Sequence, residues 1–142
     1  MEKQEDYPLL ADLDPTICLS NKMRKCNRIV ANLFRKHLQP FGLSNSQLTL
    51  LFVIHKAPEV NQKKLADVLI MEKSTVNRNL QRLLDHNWVA KQSDQTFELT
   101  ETGKALVEEI IPHWQAAMTE IRAILQEDGE SALDLVLKKL TP

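Results

Sequence analysis

Glycine, tyrosine and cysteine are scarce in this chain of 142 residues, which contains three, one and two of them, respectively. With three glycines, no phosphate-cradling glycine-rich loop is present, and the abundance of Leu, Ala, Lys, Glu and Gln favours helix over sheet. No apolar run approaches the ~20 residues that a membrane-spanning helix needs. The acidic N-terminus lacks the basic-then-apolar pattern of a secretory signal. We therefore expect a single cytoplasmic domain that contacts no membrane.

The two cysteines, Cys18 and Cys26, lie eight residues apart in one predicted helix. At ~1.5 Å of rise per residue, their Cα atoms would be about 12 Å apart, and a disulfide tolerates no more than ~7 Å. The sequence therefore predicts free buried thiols, which suit a reducing compartment.

Side chains that would build a catalytic or metal site are not grouped in the sequence. The four histidines, His37, His55, His86 and His113, never form an i, i+4 pair or stand near a second Cys or His, so metal-ligand spacing is missing. Helical spacing unites no Ser-His-acid or paired-carboxylate arrangement either. We expect no enzymatic activity, no metal and no cofactor.

Charge is distributed unevenly, although the formal net charge is only −1. Residues 17–40 hold six basic and no acidic side chains, and residues 61–92 hold six basic against three acidic. Residues 1–16 and 101–142 are predominantly acidic. A basic middle between acidic ends points modestly to a polyanionic partner. Solvated helix faces would explain the charge pattern equally well if it were the only observation.

Hydrophobic periodicity predicts four helices, a β-hairpin and two further helices. The first five elements are a helix from near Pro15 to just before Pro40, a helix from the Ser44-Asn45-Ser46 cap region to Ala57, short helices over about Gln62–Leu69 and Lys73–His86, and a hairpin of strands Trp88–Lys91 and Thr96–Leu99. The third helix is expected to bury Leu65, Val68 and Leu69. Asn87 stands where a left-handed C-terminal cap is wanted.

The last third of the chain is predicted to be helical, with Thr100 as the N-cap of a long helix. Pro112 should kink this helix rather than end it, since the helical period continues beyond it. Gly129 should break the chain, and Ser131 should open a final helix. The fold class is therefore mainly α with a small β-hairpin.

Two short helices joined by a tight turn, with a hairpin directly after the second, form a winged helix-turn-helix. The exposed face of the fourth helix carries hydroxyls, amides and basic groups that reach base edges and phosphates, and no acidic residue interrupts the run from Lys73 to Leu84. A merely solvated helix would usually mix Glu and Lys. The predicted DNA-binding residues are Gln62, Lys63, Lys73, Ser74, Thr75, Asn77, Arg78, Gln81, Arg82 and Lys91.

Nearly the whole chain resembles the multiple antibiotic resistance regulator (MarR) family of bacterial winged-helix repressors. The segment Met71-Glu72-Lys73-Ser74-Thr75-Val76-Asn77-Arg78-Asn79-Leu80 is similar to the family's recognition-helix pattern. Further matches are Leu99-Thr100-Glu101-Thr102-Gly103, Pro112-His113-Trp114, and Leu38-Gln39-Pro40-Phe41-Gly42-Leu43 with Gln47. Each motif is weak alone, but together, in order and correctly spaced, they are strong.

The resemblance implies a homodimer that binds double-stranded DNA. Residues 1–142 would form one domain, with residues 44–100 as the DNA-binding part and residues 15–40 and 101–142 as dimerisation helices. The dimer would read a pseudo-palindromic operator with half-sites about one helical turn apart. It would act as a repressor, relieved when an effector changes the spacing of the recognition helices.

Two segments depart from the family pattern. The wing tip, Lys91-Gln92-Ser93-Asp94-Gln95-Thr96, lacks the arginine that the family places in the minor groove, so Lys91 would reach phosphate at most. In the helix-turn-helix turn, Ile70 stands where glycine is common, and Glu72 stands where a serine cap would be. We therefore expect the recognition helix to carry most of the base reading.

The resemblance also suggests a small aromatic effector between the first, second and long fifth helices. Its candidate contacts are His37, His113, Trp114 and Met118, although plain packing explains each one individually. Cys18 lies where some family members carry a sensing thiol, with Lys22 one turn away. Two alternatives therefore stay open: a redox-sensing regulator, and a winged-helix protein-interaction module without DNA binding.

Overall fold

The computed structural model describes residues 6–142, which form six α-helices and one two-stranded antiparallel sheet. The elements are α1 (Pro8–Ala11), α2 (Leu19–Leu38), α3 (Asn45–Lys56), α4 (Gln62–Leu69), α5 (Lys73–Asp85), β1 (Val89–Lys91), β2 (Phe97–Leu99) and α6 (Glu101–Leu140). Short 3₁₀ turns over Pro15–Ile17 and Gln39–Phe41 flank α2. Among the described helices, none has the length and apolar character that crossing a membrane requires.

Side-chain caps set the starts of three helices. Ser44 caps α3 in a reciprocal capping box with Gln47, and the Asn61 side chain accepts a hydrogen bond from the Lys64 backbone N–H at the start of α4. Thr100 accepts from the Gly103 N–H at the start of α6. Each cap satisfies backbone donors that a helix N-terminus leaves free. The predicted starts of these helices are therefore confirmed.

The hydrophobic core is centred on α3, which is buried on several sides. Leu48, Leu50 and Leu51 are completely inaccessible to solvent. The C-terminal half of α2, the inner faces of α4 and α5, the wing strands and α6 pack around them. The other large, fully buried side chains are Leu38, Ile54, Val60, Leu65, Val76, Leu80, Leu83, Val89 and Ile110.

The wing is a short hairpin with a third strand segment beside it. Val89 pairs with Leu99 and Lys91 with Phe97 across β1 and β2. On the other side, Asn61 forms a bridge with Thr96, and the Phe97 N–H donates to the Val60 carbonyl at 3.1 Å. The residues that lead into α4 are therefore hydrogen-bonded to the wing.

Two predictions about burial in the first helix and α4 are wrong. Both Cys18 and Cys26 are exposed rather than buried, because the N-terminal half of α2 packs against little in the described protomer. Cys18 precedes α2 as its N-cap residue. Val68 is 56% exposed, since α4 packs inward through Leu65 and Ala66.

The predicted break in the last helix is misplaced by three residues. The backbone of α6 leaves helical geometry at Gln126 (φ 59°, ψ −175°), and Gly129 lies within the helix that follows. The helix continues through Pro112, as predicted. The short helix α1 was not anticipated from the sequence. Asn87 adopts the expected left-handed conformation, with φ 58°.

The junction between the wing and α6 predicts one effect on stability. A Cβ atom at Gly103 would lie 2.0 Å from the Trp88 carbonyl oxygen, so Gly103→Ala forces two backbones apart. We expect this substitution to lower the free energy of unfolding by about 1–3 kcal/mol, as overpacking does. Urea denaturation measures the change. Thr102→Ala, at an exposed neighbour, is the control; equal midpoints for the two variants would contradict the packing argument.

Candidate nucleic-acid interface

The two helices α4 and α5 are joined by a turn with Ile70 at its apex. Ile70 is left-handed, with φ 52°, and the Met71 N–H donates to the Ala66 carbonyl at 3.0 Å. Three inward side chains, Val76, Leu80 and Leu83, anchor α5. The opposite face of α5 is therefore held toward solvent.

The exposed face of α5 carries the side chains that the sequence singled out. Lys73, Ser74, Asn77, Arg78, Gln81 and Arg82 are exposed, and Thr75 is half-buried. Arg78 donates to the Thr75 hydroxyl at 3.4 Å, and Gln81 donates to the Asp85 carboxylate at 2.8 Å. These contacts are local and exposed, so the polar groups can exchange them for contacts with a ligand.

A second group of predicted residues meets beside the wing. Gln62 and Lys63 at the start of α4 and Lys91 at the end of β1 line one open cavity of about 220 Å³. Asn61 and Gln95 complete the polar lining, together with Phe97. Sequence reasoning missed Asn61 and Gln95. Asn61 could have been found from its position as the N-cap residue of α4, whereas no feature of the sequence pointed to Gln95.

The acidic residue at the wing tip has a structural role. The Asp94 carboxylate accepts from the Thr96 hydroxyl at 2.5 Å and from the Thr96 N–H at 3.1 Å. These two hydrogen bonds, led by that of the hydroxyl, lower the pKa of Asp94. Asp94 therefore stays ionised and closes the turn. Lys91 is the basic side chain of the hairpin.

The candidate effector contacts lie along the packing of α6 against the rest of the chain. His113 packs edge-on to Phe41 with ring centroids 4.9 Å apart, and Trp114 packs edge-on to Phe52 at 5.4 Å. Met118 is half-buried against the core. These three side chains therefore already have packing partners within the protomer.

His37 instead joins α2 to α6 through a polar contact. Its Nε2 atom lies 2.8 Å from Glu120 Oε2, and Lys36 Nζ lies 3.6 Å from Glu120 Oε1. The hydrogen bond with His37, followed by the charge of Lys36, lowers the pKa of Glu120. An open groove of about 490 Å³ borders this contact and is lined by Ile29, Asn32, Leu33, Arg35, Lys36, Gln39, Glu120 and Ile124. None of the four predicted effector contacts lines it.

Cys18 is solvent-accessible at the start of α2. Among the described residues, no three His, Cys, Asp or Glu side chains are grouped as a metal site would need.

A helix-turn-helix followed by a hairpin, with a basic and amide-rich outer helix, defines a winged helix-turn-helix protein. The model of the HVO_A0261 N-terminal domain family matches residues 35–121. The chain therefore belongs to this family. The HTH-type transcriptional regulator YwoH of Bacillus subtilis (strain 168) is 28% identical over 119 residues, which cover 80% of this chain and 87% of YwoH.

Solved structures of MarR-type regulators share the fold. The reduced form of MarR from E. coli is 25% identical, with a TM-score of 0.70, covering 94% of this chain and 98% of MarR. A mutant MarR from E. coli complexed with operator DNA is 24% identical, with a TM-score of 0.75 and coverage of 89% and 96%. The transcriptional repressor CouR bound to p-coumaroyl-CoA is 19% identical, with a TM-score of 0.80 and coverage of 88% and 92%. The chain is a transcriptional regulator of the MarR type.

The turn between α4 and α5 makes a prediction about stability. A β-branched residue at positive φ costs about 1–2 kcal/mol, and Ile70 is 69% exposed, so little packing offsets this cost. We expect Ile70→Gly to raise the free energy of unfolding by about 1 kcal/mol, after the greater unfolded-state entropy of glycine is subtracted. Chemical denaturation measures it. Ile70→Val keeps the β-branch and should leave stability unchanged; a destabilised Ile70→Gly variant would refute strain at this position.

Proposed function

We propose that this regulator is a homodimeric repressor that reads a pseudo-palindromic operator with α5 in the major groove. The observation that carries the proposal is the outer face of α5, where hydroxyl, amide and basic groups are exposed from Lys73 to Arg82 without an acidic residue. Arginine pairs with guanine, and asparagine or glutamine with adenine, in this groove. Arg78, Asn77 and Gln81 are the candidate base-reading residues.

The remaining predicted contacts position the helix on the duplex. Lys63 and Lys91, gathered at the cavity between α4 and the wing, would contact phosphates, with Gln62 beside them. Lys73 and Arg82 would contact the backbone at the two ends of α5. Because the hairpin offers one basic side chain, the wing contributes charge rather than base recognition. Residues 44–100 would therefore form the DNA-binding part of the chain.

Dimerisation is supported by apolar surface that the protomer leaves uncovered. Every residue from 131 to 140 is exposed, and Leu133, Leu137 and Leu140 are each about 60% accessible. A solvent-exposed helix of this length is marginal alone. Leu19 and Ile29 of α2 are also exposed, so residues 15–40 and 101–142 together present the face for a second copy.

Regulation would act through the α2–α6 packing. A small aromatic effector near His37, His113, Trp114 and Met118 would have to displace existing contacts of these side chains. The CouR structure, which contains p-coumaroyl-CoA, supports ligand control in this fold. The exposed Cys18 keeps a redox input as the alternative, which peroxide treatment followed by DNA titration would test.

DNA recognition predicts a specific loss of affinity at Arg78. We expect Arg78→Ala to weaken binding to a selected operator by about 5-fold to 150-fold, because one bidentate base contact accounts for ~1–3 kcal/mol. Random-sequence selection supplies the operator, and fluorescence anisotropy across a salt series measures affinity. Lys56→Ala removes one positive charge at the exposed end of α3, outside the proposed DNA contacts and the dimerisation helices, and is the matched control. If both variants bound the operator with equal affinity, and Arg78→Ala instead lost binding to a protein partner, the chain would be a protein-interaction module.

The dimer predicts a second effect, on the last helix. Leu137→Lys places a charge on the face shared by Leu133, Val136 and Leu140, and we expect it to weaken self-association by roughly tenfold or more. Ser131→Lys, on the opposite side of the same helix, should leave self-association unchanged. Sedimentation equilibrium measures both. A monomeric wild-type chain, or dimers equally stable in both variants, would exclude this interface.

A further inference from the structure

The outer face of α5 ends in a paired amide and carboxylate. Gln81 and Asp85 lie about one helical turn apart, and both side chains are exposed. The Gln81 Nε2 atom donates to an Asp85 carboxylate oxygen at 2.8 Å. Side chains on a helix lean toward its N-terminus, so Asp85 leans back toward the turn on which Gln81 lies. The pair therefore belongs to the surface that α5 presents to DNA in the proposed function.

The carboxylate decides which end of the Gln81 amide faces it. An ionised carboxylate has acceptors but no donor, whereas an amide has a donor end and an acceptor end. Turning the amide over would bring the Gln81 Oε1 atom against the Asp85 oxygens, and two acceptors repel each other. Since Asp85 lies toward the C-terminus of α5, the Nε2 end of Gln81 faces that way. The Oε1 end therefore faces the N-terminus of the helix.

Asp85 has the wrong charge for its position in other respects. It is the one acidic residue in the sequence of α5, and it lies at the C-terminal end, where the helix dipole disfavours negative charge. DNA phosphates at this surface would repel it as well. A carboxylate here therefore weakens the general attraction of α5 to DNA. What it can add to binding is selectivity, through the hydrogen bond to Gln81.

Gln81 can contact a base without giving up this hydrogen bond. Its amide nitrogen carries two hydrogens, and Asp85 accepts one of them. The second N–H and the oxygen stay available, and this pair matches the N7 acceptor and the N6 donor that adenine presents in the major groove. Exposure allows the bond to be exchanged, but its loss would leave the carboxylate beside the DNA without a donor. We therefore expect the bond to persist in the complex.

We propose that Asp85 is a positioning residue that selects which strand of the operator carries the adenine read by Gln81. An A·T pair and a T·A pair present the N6 donor and the N7 acceptor of adenine in opposite orders across the major groove. The amide orientation that Asp85 holds matches one order, and the turned amide matches the other. This inference rests on the proposed function, in which α5 enters the major groove.

Three substitutions separate the orientation of the amide from charge and from shape. Asp85→Asn keeps the size of the side chain but offers both a donor and an acceptor, so the Gln81 amide can face it either way. Asp85→Glu changes the length but keeps an acceptor-only group one turn from Gln81, so the orientation is retained. Glu59→Ala removes one negative charge at an exposed position outside the proposed DNA contacts and the dimerisation helices, and it is the control for charge alone.

Selection of bound sequences from random DNA measures the base preference at every operator position. Gln81→Ala identifies the position that Gln81 reads, because the preference there disappears. At this position, we expect the parent chain and Asp85→Glu to prefer adenine to thymine on one strand by about fivefold or more, as one bidentate pair implies. Asp85→Asn should lower this ratio to within about twofold and leave the other positions unchanged. Glu59→Ala should select the same operator as the parent chain.

Several outcomes would overturn the role of Asp85 and leave the proposed function standing. They are an unchanged ratio in Asp85→Asn, an equal relaxation in Asp85→Glu, and a Gln81→Ala variant that keeps every preference of the parent chain. A change at a position other than the one that Gln81→Ala identifies would mean that Asp85 contacts a base itself. If the parent chain selected no sequence at all, the proposed function would fail together with this inference.

Discussion

One junction, where the wing meets α6, joins the winged helix-turn-helix to the last helix. The Thr100 N–H donates to the Trp88 carbonyl at 3.1 Å, and the Thr100 hydroxyl donates to the Asn87 carbonyl at 2.6 Å. Gly103 then packs directly against the Trp88 backbone. Four residues, which are hydrogen-bonded or in contact with one another, therefore join the end of α5, both strands and the start of α6. They are Asn87, Trp88, Thr100 and Gly103. The direction of α5 relative to α6 is therefore set at this point.

Local chemistry explains why most of the fold could be predicted from the sequence. Ser44, Asn61 and Thr100 start helices because their side chains accept backbone hydrogen bonds, and this requires no knowledge of the tertiary structure. The left-handed Asn87 was predictable for the same reason. The outer face of α5 was predictable because the helical period identifies the inward positions, and the remaining positions of the helix must then face outward. Which of its side chains contact bases, and whether an effector binds, remain proposals.

Errors arose where tertiary contacts or a partner decide the outcome. Cys26 lies in the N-terminal half of α2, and Cys18 is the N-cap residue of this helix. Apolar residues recur there at helical spacing, and periodicity alone predicts that this face is buried, whereas both thiols are exposed. Val68 follows the helical period of α4, but this helix contacts the core through Leu65, Ala66 and Leu69, which leaves Val68 exposed. The break at Gln126 was assigned to Gly129 because glycine is the usual breaker. In the structure, this glycine supplies space for the bend rather than the unusual backbone angles.

The third strand segment beside the wing supports the hairpin, and other residues close its tip. Asn61 and Val60 hold the hairpin through Thr96 and Phe97, and Asp94 closes the turn internally. The residues between Gln92 and Asp94 contribute nothing to the core. Loop length and charge at the tip can therefore change without altering the scaffold that presents α5. In evolutionary terms, the tip of the hairpin is a modular segment whose sequence can diversify while α5 stays in place.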